Sequence, residues 1–183
     1  MKPMPARCQS GASLIEVLIA ILLLSFGMLA LGGMLAFGVQ LPKLAGYRAV
    51  AVNLAAAHIE RIRANPIGFA ADKYSAALSY DGTTSSIALA NCAYPTCDET
   101  SLATMDNAAS KQAVRNELPA GGMMLTCDTT PCTWSSFGNL WIVWQEPTTY
   151  AALNPAASDN CPASVTTTYT DPRPRCLYVR FKL

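Results

Sequence analysis

The sequence predicts an α+β chain, a long N-terminal α-helical spine followed by a C-terminal antiparallel β-sheet. Three observations carry that prediction. From Val17 to Val39 run 23 residues without a charge, enough for a helix to cross a bilayer core, which needs about 20. Beyond them, apolar residues recur at three- and four-residue steps as far as Ile62, the mark of one buried helix face. At the far end, Cys176–Leu183 alternates: Leu177, Val179, Phe181 and Leu183 on one side, Tyr178, Arg180 and Lys182 on the other, as a half-buried strand does.

Residues 1–11 form a short polar leader that carries Lys2 and Arg7. The apolar run follows at once, with one carboxylate, Glu16, at its front edge. A secretory peptide puts its small-residue cleavage site after the apolar core. Here the small-residue break, Gly11–Ala12, stands before it. A plain single-pass anchor is the simpler alternative, but it gains nothing from a carboxylate, which is costly inside a membrane. The stretch G-A-S-L-I-E-V, Gly11–Val17, resembles the class III signal of type IV prepilins. That resemblance implies cleavage by a prepilin peptidase after Gly11 and methylation of the new amine at Ala12. It also makes Glu16 the acidic fifth residue of the mature chain, a residue of assembly. The departure is Ala12, where many members carry Phe. The cations of the leader place the N-terminus in the cytoplasm by the positive-inside rule, so the chain past Val39 is expected outside the inner membrane. Residues 12–40 are then the transmembrane and assembly helix, and residues 41–183 the periplasmic domain.

Pro42 is expected to kink the helix without ending it, because the pattern resumes directly. Leu44, Tyr47, Ala51, Leu54, Ala55, His58 and Ile62 share the apolar face, and Arg61 and Arg63 lie in the last turn, where cations suit the dipole. Asn65–Pro66 stops the amphipathic helix 41–64, since a residue before proline avoids the helical region. His58, the single histidine, sits on the apolar face and reads as a packed structural residue.

The connecting region 67–122 begins with Ala, Ser, Thr and Gly in no strong period. One short strand is expected near Ser86–Leu89, and a helix over Asn107–Glu117 capped by Asp106, ended by Leu118–Pro119. The sheet is expected over 123–183: strands at Met123–Cys127, Asn139–Glu146, Val165–Tyr169 and Cys176–Leu183. Asn139–Glu146 is apolar on both faces, Leu140, Ile142 and Trp144 against Trp141 and Val143, which suits a central strand. Trp134, Trp141 and Trp144 raise a ligand-stacking surface, with core packing the favoured reading.

Seven cysteines are present: Cys8 in the leader, then Cys92, Cys97, Cys127, Cys132, Cys161 and Cys176. Cutting after Gly11 leaves the even set of six, as disulfides in an oxidising compartment require. Six cysteines allow 15 pairings; proximity favours Cys92–Cys97, Cys127–Cys132 and Cys161–Cys176. A four-thiolate zinc site at Cys92, Cys97, Cys127 and Cys132 has permissible spacing, but the oxidising location argues for disulfides and no metal. Losing Lys2 and Arg7 turns 13 basic against 12 acidic residues into 11 against 12, so no basic block points to nucleic acid. No phosphate loop and no nucleophile–base–acid set can be traced, so neither an enzyme nor a cofactor is expected.

Two further stretches narrow the resemblance. A-A-A-H-I-E-R-I-R-A-N-P, Ala55–Pro66, is similar to the helix end of the type IV pilus modification protein PilV family. Asp106–Gly122, closing in L-P-A-G-G, is similar to an element of PilV and of the minor pseudopilin GspI family. The resemblance implies a pilin-like fold and a minor pilin of the type IV pilus that joins other minor pilins to prime assembly and sits at the tip. Its partners would be the prepilin peptidase, other minor pilins and the major pilin, the assembly platform and the inner membrane. The alternative is a GspI-like minor pseudopilin of a type II secretion system.

Overall fold

The computed structural model describes residues 13–93, 95–146, 159–170 and 173–183. The chain divides into two compact units, Met1–Pro42 and Lys43–Leu183. Helix α1, Leu14–Ala64, begins in the first and ends in the second, with Pro42 inside it.

In the Lys43–Leu183 unit, the apolar stripe of α1 buries Ala51, Ala55, His58, Ile59 and Ile62. Helix α1 stops at Ala64, and Asn65, expected only as a stop, starts a second helix that the sequence reading missed. Its side chain accepts from the Gly68 amide, capping α2, Pro66–Ala70; proline at the first helical position loses no intrahelical bond. Asn65 also donates to the Glu99 carbonyl at 2.8 Å. A β-carbon at Gly68 would fall 2.6 Å from the Asn65 amide nitrogen, so this cap needs glycine.

Helix α3 is longer than expected, Glu99–Glu117. Its cap is Asp98, which accepts from the Ser101 amide at 2.7 Å, not Asp106. Asp106 lies buried mid-helix and accepts from the Tyr74 hydroxyl at 2.6 Å. Apart from Val114, the residues α3 buries, Ala103, Asp106, Asn107, Ser110 and Arg115, are small or polar, so a hydrophobic count passes over them. The helix ends at Leu118 as expected.

Strands β1 (Gly122–Cys127), β2 (Gly138–Trp144) and β3 (Arg175–Phe181) form an antiparallel sheet in the order β1-β2-β3. The central place of β2 is as the sequence predicts. Leu140 pairs with Leu125 and Val179, and Ile142 with Met123 and Leu177. One sheet face gives Met123, Leu125, Leu140, Ile142, Trp144 and Phe181 to the main core with α1, Phe69, Tyr74, Ala103 and Val114. The opposite face is covered too: Val143 and Cys176 pack with Tyr80, Ala120 and Val165, flanked by Trp141 and Tyr169.

Three expectations for the sheet are corrected. No strand forms at Ser86–Leu89, because the free edge of β1 is taken by an earlier segment. Ala76 exchanges both backbone bonds with Leu125, at 2.9 and 3.0 Å, and the Ser79 amide donates to the Met123 carbonyl. Val165–Tyr169 lies instead in helix α4, Ala163–Thr168. Its threonines suit a strand, yet the Pro162 carbonyl accepts from Val165 and Thr166, and Thr166 and Thr167 bond back to the Ala163 carbonyl. Burial of Val165 then overrides propensity. Leu183, expected to face in, follows the end of β3 and is exposed.

The cysteines are joined as proximity favours, with Cα–Cα distances of 5.1 Å for Cys92–Cys97, 5.5 Å for Cys127–Cys132 and 5.3 Å for Cys161–Cys176. Their sulfurs are therefore spent on disulfides rather than on a metal. The last closes a separation of 15 residues, worth about 3 kcal/mol of unfolded-chain entropy, and ties β3 to the segment that leads into α4.

Candidate functional site

The first turn of α1 carries the single acidic group of the apolar segment. The Ser13 carbonyl accepts from the amides of Glu16 and Val17 at 3.0 and 3.2 Å. Glu16 thus lies where a negative charge complements the free amides of a helix start. From Leu14 to Val39 every side chain is exposed, including Ile15, Leu18, Leu22, Phe26, Met34 and Phe37. The one hydroxyl there, Ser25, donates to the Ile21 carbonyl at 2.7 Å, so it needs no outside partner, as an apolar medium demands. These 26 residues extend about 39 Å at 1.5 Å each. Length and composition suffice to cross a membrane. An apolar surface of that extent all round a helix needs lipid or other helices to cover it. Gly11 and Ala12, the expected cleavage and methylation residues, lie outside the described residues.

Inside the Lys43–Leu183 unit, buried polar groups join α1 to α3. The Ser110 hydroxyl accepts from Arg61 at 2.9 Å and stands 2.8 Å from His58 Nδ1. Arg61 can only donate, and the Ser110 hydroxyl can either donate to His58 Nδ1 or accept from it. Among the described residues no partner meets Nε2. Burial first, then the charges of Arg61 and Lys111, push His58 down from 6.5 to about 4.

A pH dependence follows. The unfolded chain takes up a proton near pH 6.5 and the folded one only near 4, so stability is full above 6.5 and falls between 6.5 and 4. The shift corresponds to about 3 kcal/mol. Denaturant unfolding of the disulfide-intact protein at pH 7 and pH 4 should show that loss, and His58→Gln should remove most of the difference. Equal stability of the unmodified protein at both pH values would refute it.

Two arginines hold the surface segments in place, and no sequence pattern announces either. Arg115 on α3, buried, donates to the Ser79 carbonyl, the Thr83 carbonyl and Asp81 at 2.6, 2.6 and 2.7 Å. Its hydrogen bond holds the Asp81 carboxyl down at about 2. Arg175 on β3 binds Asp159 at 2.5 Å, and Asp159 also meets Arg48 of α1 at 3.0 Å. The segment before α4 is thereby clasped to the helix. Of the tryptophans, Trp144 is core and Trp141 donates to the Asn160 carbonyl at 2.9 Å; Trp134 is 62% exposed, against the expectation of core packing.

Two family models match the chain. Residues 6–32 match the prokaryotic N-terminal methylation motif, and residues 39–108 match the model described as type IV pilin Tt1218. The first covers Gly11, Ala12, Glu16 and much of the apolar helix; the second runs from the end of that segment through α2 into α3. No curated protein and no solved structure matches.

Proposed function

We propose that the chain is a PilV-like minor pilin of the type IV pilus, a structural protein and not an enzyme, a reading that its two family matches support. The observation that carries this reading is the exposed apolar helix headed by Glu16 and joined to a disulfide-bonded α+β domain. A prepilin peptidase cuts the precursor between Gly11 and Ala12, and the Ala12 amine is methylated. Before assembly, residues 12–40 hold the chain in the inner membrane, its leader cytoplasmic and residues 41–183 periplasmic. With other minor pilins and the assembly platform it then primes the filament of major pilin and stays at the tip.

The PilV-like stretches support the finer assignment through what they build. Ala55–Pro66 ends α1 and caps α2 through Asn65. Leu118–Gly122 turns α3 into β1, with the Gly121 amide donating to the Leu118 carbonyl at 3.0 Å. That same turn resembles GspI-like pseudopilins, so a type II secretion pseudopilus is the second reading. Deleting the gene separates them. Surface pili should fall severalfold while the secreted protein profile stays unchanged. Lost secretion with normal pili would transfer the chain to the secretion system.

A further inference from the structure

We propose that the β1–β2 hairpin end of the domain is a binding site for an acidic polysaccharide, its sugar ring on Trp134 and its carboxylates at Arg180 and Lys182. Trp134 belongs to neither buried cluster, while the hairpin around it is firmly built. Cys127–Cys132 closes the first part of its loop. The Asp128 amide donates to the Phe137 carbonyl at 3.1 Å, and the Phe137 amide returns a bond to the Asp128 carboxylate at 2.9 Å. The buried Ser136 donates its amide to the Thr133 carbonyl and accepts from the Thr133 amide at 2.9 Å. Trp134 sits inside that closed turn, so its backbone is fixed before any ligand arrives and little ordering entropy is lost on binding.

The cations are placed by the same hairpin. A β-carbon at Gly138 would strike the Phe181 ring at 2.4 Å, so the start of β2 lies flush on β3. Phe137 then lies beneath both charges, with the Arg180 guanidinium 4.0 Å and the Lys182 ammonium 5.3 Å from its ring centroid. A ring face holds a cation without neutralising it. The Arg180 side chain is 52% exposed and touches Asp128 only at 3.5 Å, and Lys182 is exposed.

This composition favours a sugar over a protein partner. A protein interface is centred on contiguous apolar area, whereas Trp134 is flanked by Thr133 and Ser135, both exposed. An exposed indole flanked by two hydroxyls matches a pyranose, whose ring carbons are apolar and whose rim is not. Lys182, with Arg180 beside its long contact to Asp128, favours a ring that bears a carboxylate. The inference does not depend on whether the chain enters a pilus or a pseudopilus.

The test uses the detergent-solubilised full chain with alginate oligosaccharides, and dextran oligosaccharides of equal length as the neutral probe. Alginate should bind and dextran should bind more weakly. Trp134→Ala should weaken alginate binding about tenfold or more, while Trp134→Phe retains most of it. Arg180→Gln with Lys182→Gln should abolish both the salt dependence and the preference for alginate. An unchanged thermal midpoint shows that each variant folds. The proposal is overturned if the unmodified chain does not bind alginate, or if Trp134→Ala binds it as well as the unmodified chain does. It is equally overturned if Trp134→Ala keeps alginate binding but no longer co-purifies with other pilins, which would make the hairpin a protein-docking surface.

Discussion

Gly11→Leu is expected to leave the whole chain in the membrane as uncut precursor, with no detectable mature product. The two species differ by the eleven residues Met1–Gly11, which include Lys2 and Arg7, so intact-mass measurement of membrane extracts separates them plainly. A peptidase must bring its reacting groups up to the main chain on both sides of the bond it cuts. Glycine, with no β-carbon, lets the backbone be approached closely and twisted freely; leucine at that position blocks the approach. The effect should be confined to processing. Helix α1 begins at Leu14, and every residue of the main core lies between Ala51 and Phe181, so the domain should fold and its disulfides form in the uncut chain. Recovery of the Ala12-started product from Gly11→Leu would refute the role given to Gly11. An unmodified protein that retains Arg7 would refute the prepilin reading itself.

What could be read from the residues divides along a physical line. Sustained periodicity is enough for α1 and β3, whose large apolar side chains recur on a regular repeat, and apolar residues on both faces are enough for the central position of β2. The match over residues 6–32 likewise falls where the leader, the glycine, the glutamate and the apolar helix are continuous in sequence. The N-terminal extension of α3 escapes because the residues it buries, Ala103 and Asp106, carry little hydrophobic signal. Helix α4 was misread because three consecutive threonines suit a strand, while the burial of Val165 that decides the matter depends on Tyr80 and Val143, far away in sequence. The Asp81–Arg115 and Asp159–Arg175 pairs were out of reach for the same reason: nothing local distinguishes a charge that finds a distant partner from one left in water. Composition does not separate Trp134 from Trp141 and Trp144, and only its position in the folded domain leaves it exposed.

Glu16→Val should leave cleavage and the folded domain intact while removing the protein from assembled filaments. The carboxylate heads a helix whose side chains are uncharged and exposed from Val17 to Val39. Packing that helix among others strips water from the carboxylate, which is tolerable only beside a cation. The proposed cleavage after Gly11 would create such a cation, the amine of Ala12, four residues before Glu16 in the sequence. A neighbouring subunit offers the same amine. If subunits enter staggered along the filament axis, pairing Glu16 with the neighbour's amine selects one register out of many that apolar contacts alone would accept. Removing one member of a buried pair costs about 3–5 kcal/mol, which corresponds to roughly two to three and a half orders of magnitude in the incorporation equilibrium. Glu16→Gln keeps the shape and the hydrogen-bonding capacity but loses the charge, so it should fail nearly as badly as Glu16→Val; Glu16→Asp should retain part of the function. The readout is the level of this protein in sheared surface filaments from strains that carry only the variant, set against its level in membranes. Filament levels equal to those of the unmodified protein for both Glu16→Val and Glu16→Gln would show that the charge plays no part in assembly.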